Sequence, residues 1–255
     1  MRSHKKVKPP PFRNIFLVLF AVCLSSPAFA QTGVPIFNAV QDATGNTEYS
    51  VTLQLLALMT FLTILPSVLL MMTAFTRIII VLSLLRQALG TAQTPPNTVL
   101  LGLALFLTIF VMEPTFRLVY EQAFIPYSEG QLSFEDALMV AQVPVKEFML
   151  SQTREQDLAV FVAMSDNMQI NQPMDTPLTT LVPAFLTSEL KSAFIIGFML
   201  YIPFIIIDLV VASILMSMGM MMLSPMIISM PFKLLLFVMV DGWNLIMTSL
   251  SNSYI

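Results

Sequence analysis

Ionisable side chains inside apolar segments are the residues of this chain that could do chemistry in a membrane. Five charged residues interrupt the apolar segments: Arg77, Arg86, Asp208, Lys233 and Asp241. Asp208 is the single charge of residues 192–223. A carboxylate in such a position either pairs with a cation or relays protons and ions. Two interpretations of Asp208 stay open, a structural pair with a basic residue such as Lys233 and a relay.

The sequence contains no arrangement of residues that is typical of an enzyme. The single histidine is His4 and the single cysteine is Cys23, and there is no phosphate-binding glycine loop, paired-cysteine motif or metalloprotease motif. Both residues fall in an N-terminal segment that is expected to be removed. The mature chain would then have no His or Cys for nucleophilic or acid–base catalysis. We expect no enzyme and no cofactor.

A methionine-rich stretch near the end of residues 192–223 is the second candidate site. Met218, Met220, Met221 and Met222 are followed by a serine and a proline at 224–225, so several of them are expected on a loop. Methionine most often fills gaps in a core. A ring of such loops, one from each subunit, could instead close a pore with soft side chains that deform around a passing polypeptide.

The composition indicates a membrane protein. The 255 residues are 56% hydrophobic and 11% charged, whereas soluble domains carry about 25% charged residues. Five of the twelve cations lie in the first thirteen residues, which leaves seven cations against fifteen acids in the remainder. An acidic chain of this kind is not expected to bind nucleic acid.

Residues 1–30 have the pattern of a signal peptide. A basic start leads to an apolar core at residues 15–24 and then to the small-residue site Ala28-Phe29-Ala30, which predicts cleavage after Ala30. The alternative is a retained first transmembrane helix. Cleavage is preferred because the apolar core is about ten residues long, too short to span a bilayer. It would place residue 31 outside the cytoplasm.

The rest of the chain divides into four regions. Residues 31–50 are a polar exposed arm, residues 51–112 a first apolar helical pair, and residues 192–255 a second apolar pair. Between the pairs, residues 113–191 carry eleven acids and four cations, and four spans would place this helical domain on the periplasmic side. Ser133 is expected to cap a helix there.

The apolar segments have awkward lengths for membrane spans. Residues 51–90 form nearly forty helix-compatible residues that end at Gly90, and residues 98–112 form a short segment that Glu113-Pro114 is expected to end. Prolines are expected to break helices at five places: Pro66, Pro114, Pro203, Pro225 and Pro231. Misfit spans and unpaired charges would both be explained if the helices face other subunits instead of lipid, so we expect an oligomer.

Several motifs together carry a resemblance to a known family. Residues 75–83, 85–90, 94–97 and 102–108 closely resemble the signature of the FliP family of flagellar type III export gates, related to the SctR proteins of virulence injectisomes. In the second half, the same resemblance rests on Glu189-Leu190-Lys191, Ile202-Pro203-Phe204 with Asp208, the methionine stretch, and Pro231-Phe232-Lys233 with Asp241-Gly242-Trp243. It runs from about residue 49 onwards.

The resemblance implies an all-α membrane protein of helical hairpins with broken helices, which assembles into a cone-shaped pore. Its implied partners are further FliP copies, five in the family, with FliR, FliQ, FlhB and FlhA. The methionine loop would form a gasket at Met218, Met220, Met221 and Met222. Contacts between helices or subunits would be made by charged residues: Glu189, Asp208, Lys233, Arg77 and Arg86.

The implied function is passage of unfolded flagellar subunits across the bacterial inner membrane, in a complex that projects to the periplasmic side of the flagellar basal body. One alternative is a proton-coupled secondary transporter that uses Asp208 and Glu189. Transporters of that kind usually contain internal repeats, and none is evident between the two halves. The other alternative is the homologous gate of a virulence secretion system.

Overall fold

The computed structural model describes residues 50–91, 93–165, 172–220 and 223–254, with the backbone alone at 50–54. Every regular element in these ranges is helical, and no strand occurs among them. The prediction of an all-α chain with apolar, membrane-suited helices is confirmed for the described part. Ala30 and the arm at residues 31–49 lie outside it.

Nine α-helices, labelled in chain order, make up the described part: α1 Ser50–Met71, α2 Phe75–Ala88, α3 Asn97–Val119, α4 Ile125–Ser128, α5 Phe134–Gln152, α6 Glu155–Met164, α7 Leu178–Ser217, α8 Pro225–Met239 and α9 Gly242–Asn252. A π-helical turn, Tyr120–Phe124, joins α3 to α4, and a 3₁₀ turn, Pro173–Asp175, precedes α7.

The chain divides into two structural units, Met1–Thr60 and Phe61–Ile255. In the first unit the structure describes the helical residues 50–60 at the start of α1, and the side chains from Leu55 to Met59 are exposed. The helix packing and side-chain clusters described below lie within the second unit.

Two helical stretches are long and apolar enough to cross a membrane, Asn97–Ser128 with 32 residues and Leu178–Ser217 with 40. Two further candidates are bent pairs: the chain turns by 73° at residues 72–74, between α1 and α2, and by 66° between α8 and α9. By length and composition, the described residues therefore hold two candidate spans, or up to four if each bent pair counts as one.

The prediction that prolines break the helices is wrong at four of the five positions. Pro66, Pro114, Pro203 and Pro231 lie inside helices, and only Pro225 begins one. A proline removes its own N–H and crowds one carbonyl. The helix nevertheless continues on both sides, because in apolar surroundings the other backbone N–H and C=O groups have no water to bond and would stay unpaired outside a helix.

Two helices extend beyond the apolar segments that the sequence defines. α3 continues through Glu113-Pro114 to Val119, and α7 begins at Leu178, well before residue 192. Two local predictions are confirmed. The Ser133 hydroxyl accepts a hydrogen bond from the backbone N–H of Asp136 at 3.2 Å at the start of α5, and α2 ends just before Gly90, which has a φ of 76°.

α2 is the most buried helix of the described core. Its Ile78, Val81, Leu82 and Leu85 are buried at helical spacing. It packs most extensively against α7 and next against α3, with further contacts to side chains of α8 and α9. The outward faces of the longer helices remain apolar and exposed, so the core is built around a short helix and the apolar surface lies outside it.

Gly197 allows α7 to approach α2 closely. A Cβ atom at this position would lie 2.3 Å from Leu84 Cδ1 and 3.2 Å from Leu84 Cβ. Atoms of real side chains do not approach so closely, so a side chain at this position would force Leu84 to change rotamer and its Cβ to shift by a few tenths of an ångström.

We expect Gly197→Ala to lower the free energy of unfolding by about 1–3 kcal/mol, because the added methyl overpacks the interface. The measurement is the unfolding midpoint of the purified chain in mild detergent. Gly102→Ala in α3 is the matched control, since a Cβ there would meet no atom within 4 Å. The double variant Gly197→Ala with Leu84→Ala should recover stability; equal effects at both glycines would contradict this packing.

Candidate functional site

Arg77 and Glu189 form a buried ion pair between α2 and α7. The Arg77 Nε–H donates to Glu189 Oε2 at 2.9 Å, and Nη2 donates to Oε1 of the same carboxylate. The side chains are 5% and 0% exposed. Both groups are therefore withdrawn from solvent and face each other in the two-pronged geometry that guanidinium and carboxylate favour.

The remaining donors of Arg77 are also satisfied. Nη1 donates to the backbone carbonyl of Ser253 at 3.0 Å and to its hydroxyl at 3.1 Å, and Nη2 donates to Gln152 Oε1 at 3.2 Å. A guanidinium carries five N–H donors, and each of them has an acceptor here. One side chain thereby connects α2, α5, α7 and the residues that follow α9.

Tyr254 closes the cluster on the other side. The centre of its ring lies 3.9 Å from Arg77 Cζ, a cation–π contact. Its hydroxyl lies 2.9 Å from Glu189 Oε2 and 3.0 Å from the Ala74 carbonyl. Tyr254 lies beyond the end of α9, and burial, followed by the nearby Glu189 charge, raises the pKa of its phenol. The hydroxyl therefore keeps its proton and serves as a donor.

The residue next to Glu189 ties the cluster to α6. The Arg154 backbone N–H donates to the Ser188 hydroxyl at 2.9 Å, which in turn donates to Asp157 Oδ2 at 2.7 Å. The Arg154 guanidinium also donates to the Ser192 hydroxyl at 3.3 Å. Little more than one turn of α7, from Ser188 to Ser192, is thus held by Arg77 of α2, by Arg154 and by Asp157 of α6.

A second cluster joins α7, α8 and the end of α2. The Lys233 ammonium donates to Asp208 Oδ2 at 2.6 Å and to the Ala88 carbonyl at 3.1 Å. The Ser229 hydroxyl donates to Asp208 Oδ1. Ala88 is the last residue of α2, where helix carbonyls lack an internal partner and the helix dipole favours a cation. Lys233 therefore both pairs with a carboxylate and caps a helix.

The other two predicted charges lie apart from these clusters. Arg86 Nη1 donates to Asn97 Oδ1 and to the Pro95 carbonyl at 3.4 Å, so it braces the turn between α2 and α3. Asp241 has a φ of 50° at the bend before α9 and accepts from Asn244 Nδ2 at 3.2 Å. The structure thus brings Asp208 to Lys233 and Glu189 to Arg77, each within one chain; roles between subunits stay predictions.

The methionine loop begins where α7 ends. The Gly219 N–H bonds the Met216 carbonyl at 3.0 Å and the Met220 N–H bonds the Leu215 carbonyl at 3.0 Å, a helix-ending motif that needs the positive φ of Gly219. Met218 and Met220 are exposed, at 62% and 42%. Met221 and Met222 lie outside the described residues.

Several members of the charge clusters were missed by the sequence reasoning. Gln152, Ser253 and Tyr254 surround the Arg77 pair, and Ser229 with the Ala88 carbonyl completes the other. These residues are polar and common, and most lie tens of positions or more from their partners, so no local spacing identifies them. Among the described residues no three His, Cys, Asp or Glu side chains come together in a way that could hold a metal ion.

The two partners of the α7–α8 pair are unequally exposed, which predicts unequal effects of removing them. The Lys233 side chain is 3% exposed and that of Asp208 is 30% exposed. Asp208→Ala should lower the free energy of unfolding by about 3 kcal/mol or more, because it leaves a buried cation without its counter-ion. Lys233→Met should cost less, because solvent reaches the remaining carboxylate.

The measurement is the unfolding midpoint of each purified variant in detergent, with the double variant completing the cycle. We expect the double variant to lose less free energy of unfolding than the two single variants lose together. Equal losses in the two single variants, or strict additivity, would contradict the burial of Lys233.

Comparison with known proteins gives a family for this chain. The model of the FliP family matches residues 58–250, a range that contains all of α2 to α8. The flagellar biosynthetic protein FliP of Cereibacter sphaeroides is 56% identical over 85% of this chain and 72% of its own length. The proteins of the same name from Pectobacterium carotovorum subsp. carotovorum and Bacillus subtilis (strain 168) are 58% and 54% identical, over 82% and 80% of this chain and 81% and 93% of their own lengths. The chain belongs to the FliP family.

Proposed function

We propose that this protein is a channel-forming component of the flagellar export gate, which passes unfolded flagellar subunits across the inner membrane. The observation that carries the proposal is the family match over residues 58–250, because this range includes both ion pairs, Arg77–Glu189 and Asp208–Lys233, and the methionine loop. The relatives that match are named for flagellar biosynthesis.

The length of α7 supports assembly with other subunits. At a rise of about 1.5 Å per residue, its 40 residues extend about 60 Å, roughly twice the hydrocarbon thickness of a bilayer. Apolar side chains are exposed along it, including Phe198, Leu209 and Met216 at 63–65%. Lipid cannot cover all of this surface, so copies of this chain together with FliR and FliQ are the proposed cover, and FlhB and FlhA are further partners.

The pairing of charges inside one chain removes the argument that unpaired charges require neighbouring subunits. Arg77, Glu189, Asp208 and Lys233 are satisfied within the chain, so they do not by themselves require neighbouring subunits. The same pairing disfavours a proton-coupled transporter, because both carboxylate oxygens of Asp208 already accept hydrogen bonds from fixed neighbours. The uncovered apolar surface remains the physical reason for an oligomer.

The proposed topology follows from the sequence regions. Residues 1–30 would be a cleaved signal peptide and residues 31–50 an exposed arm. Residues 51–112 and 192–255 would form two apolar helical pairs in the inner membrane. Residues 113–191 would then lie on the periplasmic side, within the flagellar basal body. The acidic surface of that domain suits contact with water.

The proposed gate is passive. In the closed state, loops at Met218 and residues 220–222 of several copies would pack into a gasket that blocks ions. Methionine suits this role because its side chain is unbranched and deformable and so can seal against a chain of changing shape. Opening would be driven by substrate and by the energised machine through other components, and no cofactor is expected in this chain.

Deletion of the gene for this chain tests the function. We expect secretion of flagellar subunits into the medium and motility to be lost, and both to return with the full-length chain in trans. In a strain that also carries a virulence secretion system, toxin secretion should persist. Loss of toxin secretion with intact motility would assign the chain to the virulence gate and contradict the proposal.

Replacement of the loop residues tests the gasket. We expect Met220→Ala, Met221→Ala and Met222→Ala together to make the membrane leak ions when the assembled gate is expressed, because smaller side chains leave the closed pore unsealed. Conductance across the membrane or growth in raised salt is the readout. Met216→Ala, at an exposed methionine inside α7, is the matched control; unchanged conductance in the triple variant at normal gate assembly would contradict the gasket.

A further inference from the structure

One face of α9 differs from the outward faces of the neighbouring helices. Asn244, Thr248 and Asn252 follow each other at four-residue spacing, so they form one stripe along the helix. Asp241 stands at its start, and all four side chains are exposed. The stripe lines an open groove of about 560 Å³. The four side chains of the stripe are polar and include one charge, and the exposed Val240 and Leu245 line the same groove beside them.

The orientation of this stripe is fixed by the opposite face of α9. Ile246 and Leu250 are 3% and 1% exposed and belong to the core around α2 and α3. At the start of α9, Gly242 is buried against the Phe237 ring, where a Cβ would lie 2.3 Å from a ring carbon. The helix cannot rotate to bury the stripe without withdrawing these residues from the core.

Contacts within the stripe leave hydrogen-bonding capacity unused. Asn244 Nδ2 donates to Asp241 Oδ2 at 3.2 Å, and the Thr248 hydroxyl donates to Asn244 Oδ1 at 3.4 Å. An amide has two donor hydrogens and two acceptor lone pairs, and a carboxylate accepts about four hydrogen bonds. The remaining positions point away from the core, where they need water or a polar partner.

The acyl chains of lipids are an unfavourable partner for these polar groups. Acyl chains accept and donate no hydrogen bonds, and polar groups in contact with them lose their hydration without compensation. The exposed residues at the end of the preceding helix, α8, are apolar. Val238 and Met239 are 73% and 79% exposed, and their side chains contain no polar atom apart from the methionine thioether. The polar stripe is therefore better suited to water or a polar partner than to acyl chains.

We infer that the stripe Asp241–Asn244–Thr248–Asn252 faces the aqueous passage and contacts the backbone of the unfolded polypeptide in transit. This inference rests on the proposed function. The amides and the hydroxyl of Asn244, Thr248 and Asn252 hydrogen-bond the peptide groups of any sequence, and only Asp241, at the start of the stripe, would attract basic side chains. Such a wall suits a polypeptide whose residues change as it moves.

Cysteine accessibility in the assembled gate tests the inference. Asn244→Cys, Thr248→Cys and Asn252→Cys are made singly in the full chain with Cys23→Ser, which removes the one native cysteine. Val238→Cys, on the apolar surface of α8, is the matched control. Variants that still export flagellar subunits are treated with a charged, membrane-impermeant methanethiosulfonate from both sides of the membrane, with and without an export substrate arrested by a tightly folded fusion domain.

The stripe cysteines should react at least about tenfold faster than Val238→Cys, because the reactive thiolate forms only in contact with water, and the arrested substrate should slow them. Reaction as slow as the control would mean that lipid or another subunit covers the stripe. Fast reaction that the substrate does not slow would place it in water outside the passage. Either result overturns the inference, whereas export by the same variants reports separately on the proposed function.

Discussion

The architecture depends on placing a guanidinium in an apolar core with none of its donors left unsatisfied. Arg77 achieves this by drawing acceptors from α5, α7 and the residues after α9, and Glu189 balances its charge. A buried charge that lacks its partners costs several kcal/mol. The arrangement of these helices is therefore restricted to those that bring Gln152, Glu189 and Ser253 to the same place.

The second ion pair extends the same logic to the other end of α2. Lys233 reaches across from α8 to the Ala88 carbonyl at the end of α2 and to Asp208, so the short buried helix is held at each end by a charge from a distant segment. Apolar contact is not directional, so it restricts the relative position of long helices less than these ion pairs do. The ion pairs supply the direction, and the apolar outer surface stays available for assembly.

Sequence reasoning recovered the helical class, the cap at Ser133 and the end of α2 at Gly90, because these depend on neighbouring residues. It failed at Pro114 and Pro203, where propensity predicts a break but the apolar surround preserves the helix. From charge alone, the sequence suggested a basic partner such as Lys233 for Asp208. Tyr254 could not be found in this way, because its role depends on a contact with Ala74 and Glu189 that only the tertiary fold creates.

A double-mutant cycle on Arg77→Met and Glu189→Leu tests the central claim most directly. Unfolding of the purified chain in detergent gives the free energy for each variant. Each single variant should lose about 3–5 kcal/mol, because it leaves one buried charge unpaired, while the double variant should lose far less than the sum. Additivity within about 0.5 kcal/mol would show that the two residues act independently, and would contradict the account.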